Sequence, residues 1–213
     1  MKNSFSFSTI KLKELERYFQ IDIQYSEKAF EEWFGFENTV AEEEKNFLND
    51  LIQKHRLKLP TYGRKKLKAK FIIPILNKVD FFFGAIDDWY EVNIEHEFEH
   101  VILNGKADYV IAEGTRTPKK PYFFLQEFKP DNPDRDPEVQ LIAQMITALA
   151  ENEQDRIKGG FITEQQWRVA ILEKKAHHTY QYYGSPVLAA LVPEQLYQIY
   201  TNLKAVKAAL QQL

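Results

Sequence analysis

Apolar residues recur at helical spacing over the first sixty positions. Ile10, Leu12, Leu15 and Phe19 follow Ser8-Thr9, and Phe30, Trp33 and Phe34 follow Ser26. Val40, Phe47, Leu48, Leu51 and Ile52 continue the period over about 38–54. Serine and threonine ahead of such runs are helix-capping signals. Residues 1–60 are therefore expected to form a helical cap, ended by Pro60-Thr61-Tyr62-Gly63. Leu67, Phe71, Ile72, Ile75 and Leu76 predict a further helix over about 64–77. Pro74 falls inside it and should kink or shorten it, because proline lacks the N–H and crowds the preceding turn.

The period changes after Trp89. Val92, Ile94, His96, Phe98, His100 and Ile102 alternate as in a strand, although Ile94, Phe98, Val101 and Ile102 also suit a helix. Asn104-Gly105 decides for strands, since Asn-Gly between apolar-patterned runs is a strong hairpin signal. Two antiparallel strands, Trp89–Leu103 and Lys106–Ala112, are expected. A third, Pro121–Phe128, is apolar almost throughout, which predicts burial on both faces. Asp136 and Pro137 open a helix to about Asn152, with Leu141, Ile142, Met145, Ile146 and Leu149 facing the sheet. Short strands follow around 161–163, 167–172 and 179–183, and Pro193 starts a closing helix. The fold class is α/β, a mixed sheet flanked by helices. A cap (1–60) and an α/β core with a C-terminal hairpin and helix (61–213) are expected to form one compact unit.

Composition narrows the class. The chain has 213 residues, 44 % hydrophobic and 28 % charged, with no cysteine. Disulfides and Cys-ligated metal centres are excluded. No apolar run approaches the roughly 20 residues of a membrane span, and no signal peptide is visible, so a cytoplasmic protein without membrane contact is expected. Net charge is −3, so no global basic field attracts nucleic acid. A local one exists: Lys54, Arg56, Lys58, Arg64, Lys65, Lys66, Lys68 and Lys70 follow one another with no acid between. A solvated face accounts for such a run equally well.

The chemistry concentrates in Gly105–Met145. Glu127 and Lys129, two apart at a strand end, share a face, and Asp108 lies on the preceding strand. Buried charges need partners. Two acids and an ammonium meeting at adjacent strand ends suit a metal site for phosphodiester chemistry.

An aspartate on one strand and Glu-x-Lys ending the next resembles the PD-(D/E)XK nuclease superfamily. The order helix, three-strand meander, helix and further strand matches that family's core over about 64–167. The resemblance implies a restriction-endonuclease-like core and a nuclease that hydrolyses phosphodiester bonds in DNA. Asp108, Glu127 and the Phe128 carbonyl would hold Mg²⁺ (or Mn²⁺), a hard cation that takes oxygen ligands. Lys129 would orient or deprotonate the attacking water. Gln140 resembles the glutamine that helps position the site in some branches. Arg64, Lys65, Lys66, Arg116, Lys119 and Lys120 are candidate phosphate contacts. Members often act as homodimers or with a protein partner. This chain departs from the pattern in one place: many members carry a carboxylate on the first core helix, and Gly63-Arg64-Lys65-Lys66 has none. If that helix were instead 38–54, Glu44 would be in line to turn inward; direct approach to the sheet favours 64–77. The departure keeps a second function open, a catalytically inactive nucleic-acid- or protein-binding module on the same fold.

A third function comes from His96-Glu97-Phe98-Glu99-His100, which matches the His-Glu-x-x-His pattern of zinc metalloproteases. On a helix both histidines could bind one zinc with Glu97 as base; on a strand they stand about 13 Å apart. His177-His178 suits a surface turn. Trp89, Trp167, Tyr180, Tyr182 and Tyr183 could stack on bases, with packing on the sheet as the alternative.

Overall fold

The computed structural model describes residues 2–37, 39–129 and 136–212; the side chains of 120, 121 and 123–129 lie outside the description. It is a mixed α/β fold, one sheet flanked by helices. The amino-terminal stretch holds β1 (Asn3–Ser6), α1 (Leu12–Leu15), β2 (Gln20–Tyr25), α2 (Glu31–Phe34) and α3 (Glu42–His55). Next come α4 (Arg64–Leu67) and α5 (Ile73–Val79), then β3 (Ile86–Glu97), β4 (Val101–Gly114) and β5 (Pro118–Lys129). α6 (Pro137–Asn152), β6 (Arg156–Thr163), β7 (Gln166–Ala176), β8 (Thr179–Gly184), β9 (Leu188–Ala189) and α7 (Pro193–Leu210) complete the chain. The sheet order is β1-β4-β5-β6-β7-β8-β2, with β3 on β4 and β9 on β7.

The first sixty residues are only partly helical. α2 and α3 form as the apolar spacing predicts, but residues 3–6 and 20–25 are strands added to the sheet. β1 runs parallel to β4 and β2 parallel to β8. Their alternation is too short and too polar to outweigh a helical pattern; long-range pairing decides them.

Two cores lie on the two faces. One packs α2, α3, α5 and α7 on Tyr109, Ile111, Ile162, Trp167, Val169 and Ile171. The other encloses α6 between Val110, Ala112, Ala170 and Leu172 of the sheet and Phe7, Leu15, Phe19 and Phe98. α6 is accordingly buried from Val139 to Leu149. Asp136 caps it, its carboxylate accepting from the N–H groups of Glu138 and Val139.

The expected break at Pro74 takes a specific form. Residues Lys68–Ile72 between α4 and α5 make a π turn. An α-helical bond here would need an N–H on Pro74 to reach the carbonyl of Lys70. Proline has none, and widening the turn relieves its ring.

Glu44 does not reach the sheet. It accepts from Tyr200 Oη at 2.8 Å and Lys204 Nζ at 3.0 Å on α7, and from the Ala41 N–H at 2.8 Å. Burial raises its pKa, but the Ala41 N–H, Lys204 and Tyr200 outweigh that, and the carboxyl titrates below its usual range. Its stabilising contribution is therefore present above the unfolded value, about 4.3, and is lost as pH falls through the lower folded value. Glu44→Gln is expected to flatten the fall of the unfolding midpoint below about pH 4.3, measured by thermal denaturation across pH 3–7.

Candidate active site

The site begins with a fault in the pleat. β3 and β4 pair in constant register, Tyr90 with Tyr109 and Val92 with Ala107, so Glu91 stands opposite Asp108. On one side of this step Tyr109 and Ile111 face the α5/α7 core; on the other Ala107 faces the α6 core, as do Val110 and Ala112. Alternation thus slips by one residue on both strands at the same rung. Glu91 takes up the slip at φ 54°, a left-handed conformation that is uncommon outside glycine. Asp108 emerges at the slip, 3 % exposed.

A buried carboxylate needs a cation. Arg64, the first residue of α4, makes an ion pair with Asp108 Oδ1. Lys68 Nζ donates to the Asp108 carbonyl at 3.3 Å. Gly63 starts the helix in extended conformation, φ −70° and ψ 162°, and Arg64, Lys65 and Lys66 fill its first turn. Cations there oppose the helix dipole, so the arrangement depends on anionic partners such as Asp108. Lys65 and Lys66 are exposed, and Lys66 Nζ sits 4.3 Å from the Tyr62 ring centroid.

The strand register supplies the rest. Tyr109 pairs with Gln126, and one further antiparallel step sets residue 127 across from Asp108. On the other side of β5, Glu127 pairs with Phe161, Phe128 with Ile162 and Lys129 with Thr163. The side chains of Glu127, Phe128 and Lys129, like that of Lys120, lie outside the described residues; their backbone positions are those the sequence predicts. β1 and β5 occupy the same edge of β4, β1 ending beside Asn104 and β5 pairing through Tyr109. The two part beside Asp108, and crevices where neighbouring strands part are habitual ligand sites in α/β sheets.

α6 closes the other face. Gln144 Nε2 donates to the Lys106 carbonyl at 3.2 Å, and Gln140 lies one turn nearer the helix start. Both are buried, Gln140 at 4 % and Gln144 at 0 % exposure, not solvent-facing. Gln140 Oε1 has no hydrogen-bond partner among the described residues. A buried unsatisfied amide costs about 1–3 kcal/mol. Gln140→Met, which keeps the volume and removes the orphan oxygen, is therefore expected to raise stability by about 1 kcal/mol, read from urea denaturation. If Gln140 serves the site, the same variant loses activity.

Other candidates lie elsewhere. Arg116 and Lys119 are exposed in the β4–β5 turn, where Gly114 pairs with Pro118. Along β4 that turn is about 20 Å from Asp108 at 3.3 Å per residue. His96 is on β3, with Nδ1 2.7 Å from Glu151 Oε1, and His100 lies in the turn. The segment is not helical, so the two histidines do not share the helix face that zinc chemistry needs. Trp167, Tyr180 and Tyr182 are buried and pack the sheet; none offers a ring to a base. No helix among the described residues is long and apolar enough to cross a membrane.

Sequence reasoning placed Arg64 in a phosphate-binding run and missed its bond to Asp108. No family model matches the chain, and no curated protein is similar to it in sequence.

Proposed function

We propose that this chain is a metal-dependent nuclease of the PD-(D/E)XK kind, hydrolysing phosphodiester bonds in DNA. The observation that carries the reading is the buried Asp108, set at a break in the pleat and across from residue 127 in register, with residue 129 closing the same strand. Asp108 and the orphaned Gln140 Oε1 are oxygen donors, the type a hard divalent cation takes. Asp108, Glu127 and the Phe128 carbonyl would hold Mg²⁺ or Mn²⁺, which when bound acidifies a water and offsets charge on the phosphoryl oxygens.

The chain's own groups do the remainder. Arg64 neutralises Asp108 in the resting site. Displaced from it, the guanidinium is placed to meet a phosphate bidentately. Lys129 would hold or take the proton of the attacking water, and Gln140 would orient that water.

A second reading, a binding module that cuts nothing, is favoured by one observation: Arg64 already occupies Asp108, and α4 brings no carboxylate. The test is incubation of supercoiled, linear and single-stranded DNA with Mg²⁺ or Mn²⁺. Cleavage that disappears in Lys129→Ala supports the nuclease. Retention of DNA in chelator with no cleavage of any substrate supports the module.

A further inference from the structure

A second polar constellation stands at the same end of the sheet, where β5, β6, β8 and β2 finish. Tyr25, the last residue of β2, is 60 % exposed. Its hydroxyl donates to Glu138 Oε2 at 2.8 Å, in the first turn of α6. Glu138 Oε1 accepts from Tyr182 Oη at 3.0 Å and lies 3.6 Å from Arg168 Nη1. The Arg168 guanidinium carbon is 4.8 Å from the Tyr25 ring centroid. Arg168 Nε is buried with no hydrogen-bond partner among the described residues. Gly184 pairs with Tyr25, and a Cβ there would come within 2.8 Å of the ring. The ring therefore lies directly against the glycine.

An exposed tyrosine ordinarily keeps its rotamer freedom. This one is tied at its hydroxyl, backed by a cation and seated on glycine, yet it stays open to solvent. Its ordering entropy is already spent in the fold, which favours a planar ligand. Glu138 and Asp136 beside it repel phosphate, so a neutral aromatic ring is the better occupant. Arg168 pairs with Phe161, Phe161 with Glu127, and the next step is Asp108. At about 4.8 Å per strand, three steps put the Arg168 backbone about 14 Å from the candidate active site, and the Tyr25 backbone, two strands further on β2, about 24 Å from it. Stacked bases in a duplex do not present a free face; unpaired ones do.

We infer that Tyr25, backed by Arg168, is a stacking platform for an unpaired base of a DNA single strand. The inference rests on the nuclease reading for the identity of the polymer. It assigns the substrate class of that site: strands with single-stranded character.

The test is a fluorescence-anisotropy titration of the full chain with a labelled single-stranded oligonucleotide and with its duplex, in chelator, so that no cleavage intervenes. The wild type is expected to bind the single strand more tightly. Tyr25→Ala is expected to weaken single-strand binding about tenfold and leave duplex binding unchanged. Tyr25→Phe, which keeps the ring, should stay within about threefold, and Tyr25→Trp should match or exceed the wild type. The platform is overturned if the wild type does not bind single strands, if Tyr25→Ala binds them normally or loses both forms equally, or if Tyr25→Phe loses as much as Tyr25→Ala. Failure of the nuclease reading shows separately: the expected binding pattern with no cleavage under Mg²⁺ or Mn²⁺ upholds the platform and removes the nuclease.

Discussion

Asp108→Asn is expected to reduce Mg²⁺-dependent DNA cleavage about a thousandfold, which corresponds to the several kcal/mol a bound cation contributes. The substitution keeps the shape of the side chain and removes only its charge. Arg64 loses its ion pair with Asp108 Oδ1, but its side chain is 41 % exposed and can turn to water. The fold should therefore survive, with an unfolding midpoint within a few degrees of the wild type. DNA binding in chelator should hold or improve, because a negative charge is gone. Nicking of supercoiled DNA over time measures the loss. Wild-type rates in Asp108→Asn would end the nuclease reading. The converse variant, Arg64→Met, removes the cation paired with Oδ1 of the buried Asp108. It is expected to destabilise by about 2 kcal/mol, below the full cost of breaking a buried pair because Arg64 is partly exposed.

The largest effect on folding is expected at Gly105. Its φ is 144°, a backbone conformation that side chains rarely adopt. A Cβ there would approach Phe7 Cδ2 to 2.8 Å. Gly105→Val adds backbone strain of about 1–3 kcal/mol to a steric conflict of similar size. The expected loss is about 4 kcal/mol, or about 12 °C in the unfolding midpoint for a chain of this length. Phe7 must move, and with it the contact that holds β1 on β4. Accelerated hydrogen exchange at Ser4–Phe7, with little change at β7 and β8, would confirm the cause. An unchanged midpoint would show that Phe7 can yield without penalty.

Gly105 also shows where the sequence misleads. The Asn-Gly pair reads as a hairpin turn, and a hairpin of β3 and β4 does form. The turn, however, lies at Phe98–Val101, closed by the Phe98 N–H on the Val101 carbonyl at 2.8 Å. Asn104 and Gly105 continue β4 and receive β1: Asn104 pairs with Ser6, its amide donates to Ser4 Oγ, and its carbonyl accepts from Phe7. Local turn chemistry and a docking surface for a distant strand use the same residues. One sequence cannot separate them.

The long apolar patterns were legible because burial imposes them. The stripe of α3 and the capped start of α6 appear as their spacing predicts, and a strand, β5, forms over the apolar run, whose side chains, Tyr122 apart, lie outside the described residues. For the candidate site, the strand placement of residues 108, 127 and 129 was legible for the same reason. What could not be read is what lies across space. Arg64 reaches Asp108 only because a π turn and two helices fold onto the sheet. The slip at Glu91 and Asp108 preserves register, so no insertion marks it. Tyr25 belongs to a strand too short and polar to announce itself, and its partners Glu138, Arg168 and Tyr182 are all distant in sequence.

The pairing of β2 with β8 has a consequence for how the chain reaches its native state. Gln20 to Tyr25 find their neighbours only at Thr179 to Gly184. A ribosome adding roughly 5–20 residues per second needs roughly eight to thirty seconds to pass from one segment to the other. Until then Phe7, Leu15 and Phe19 cannot complete their core. The earlier segment is thus among the last to settle, and during that wait its aromatic residues lack the core that shields them in the native fold.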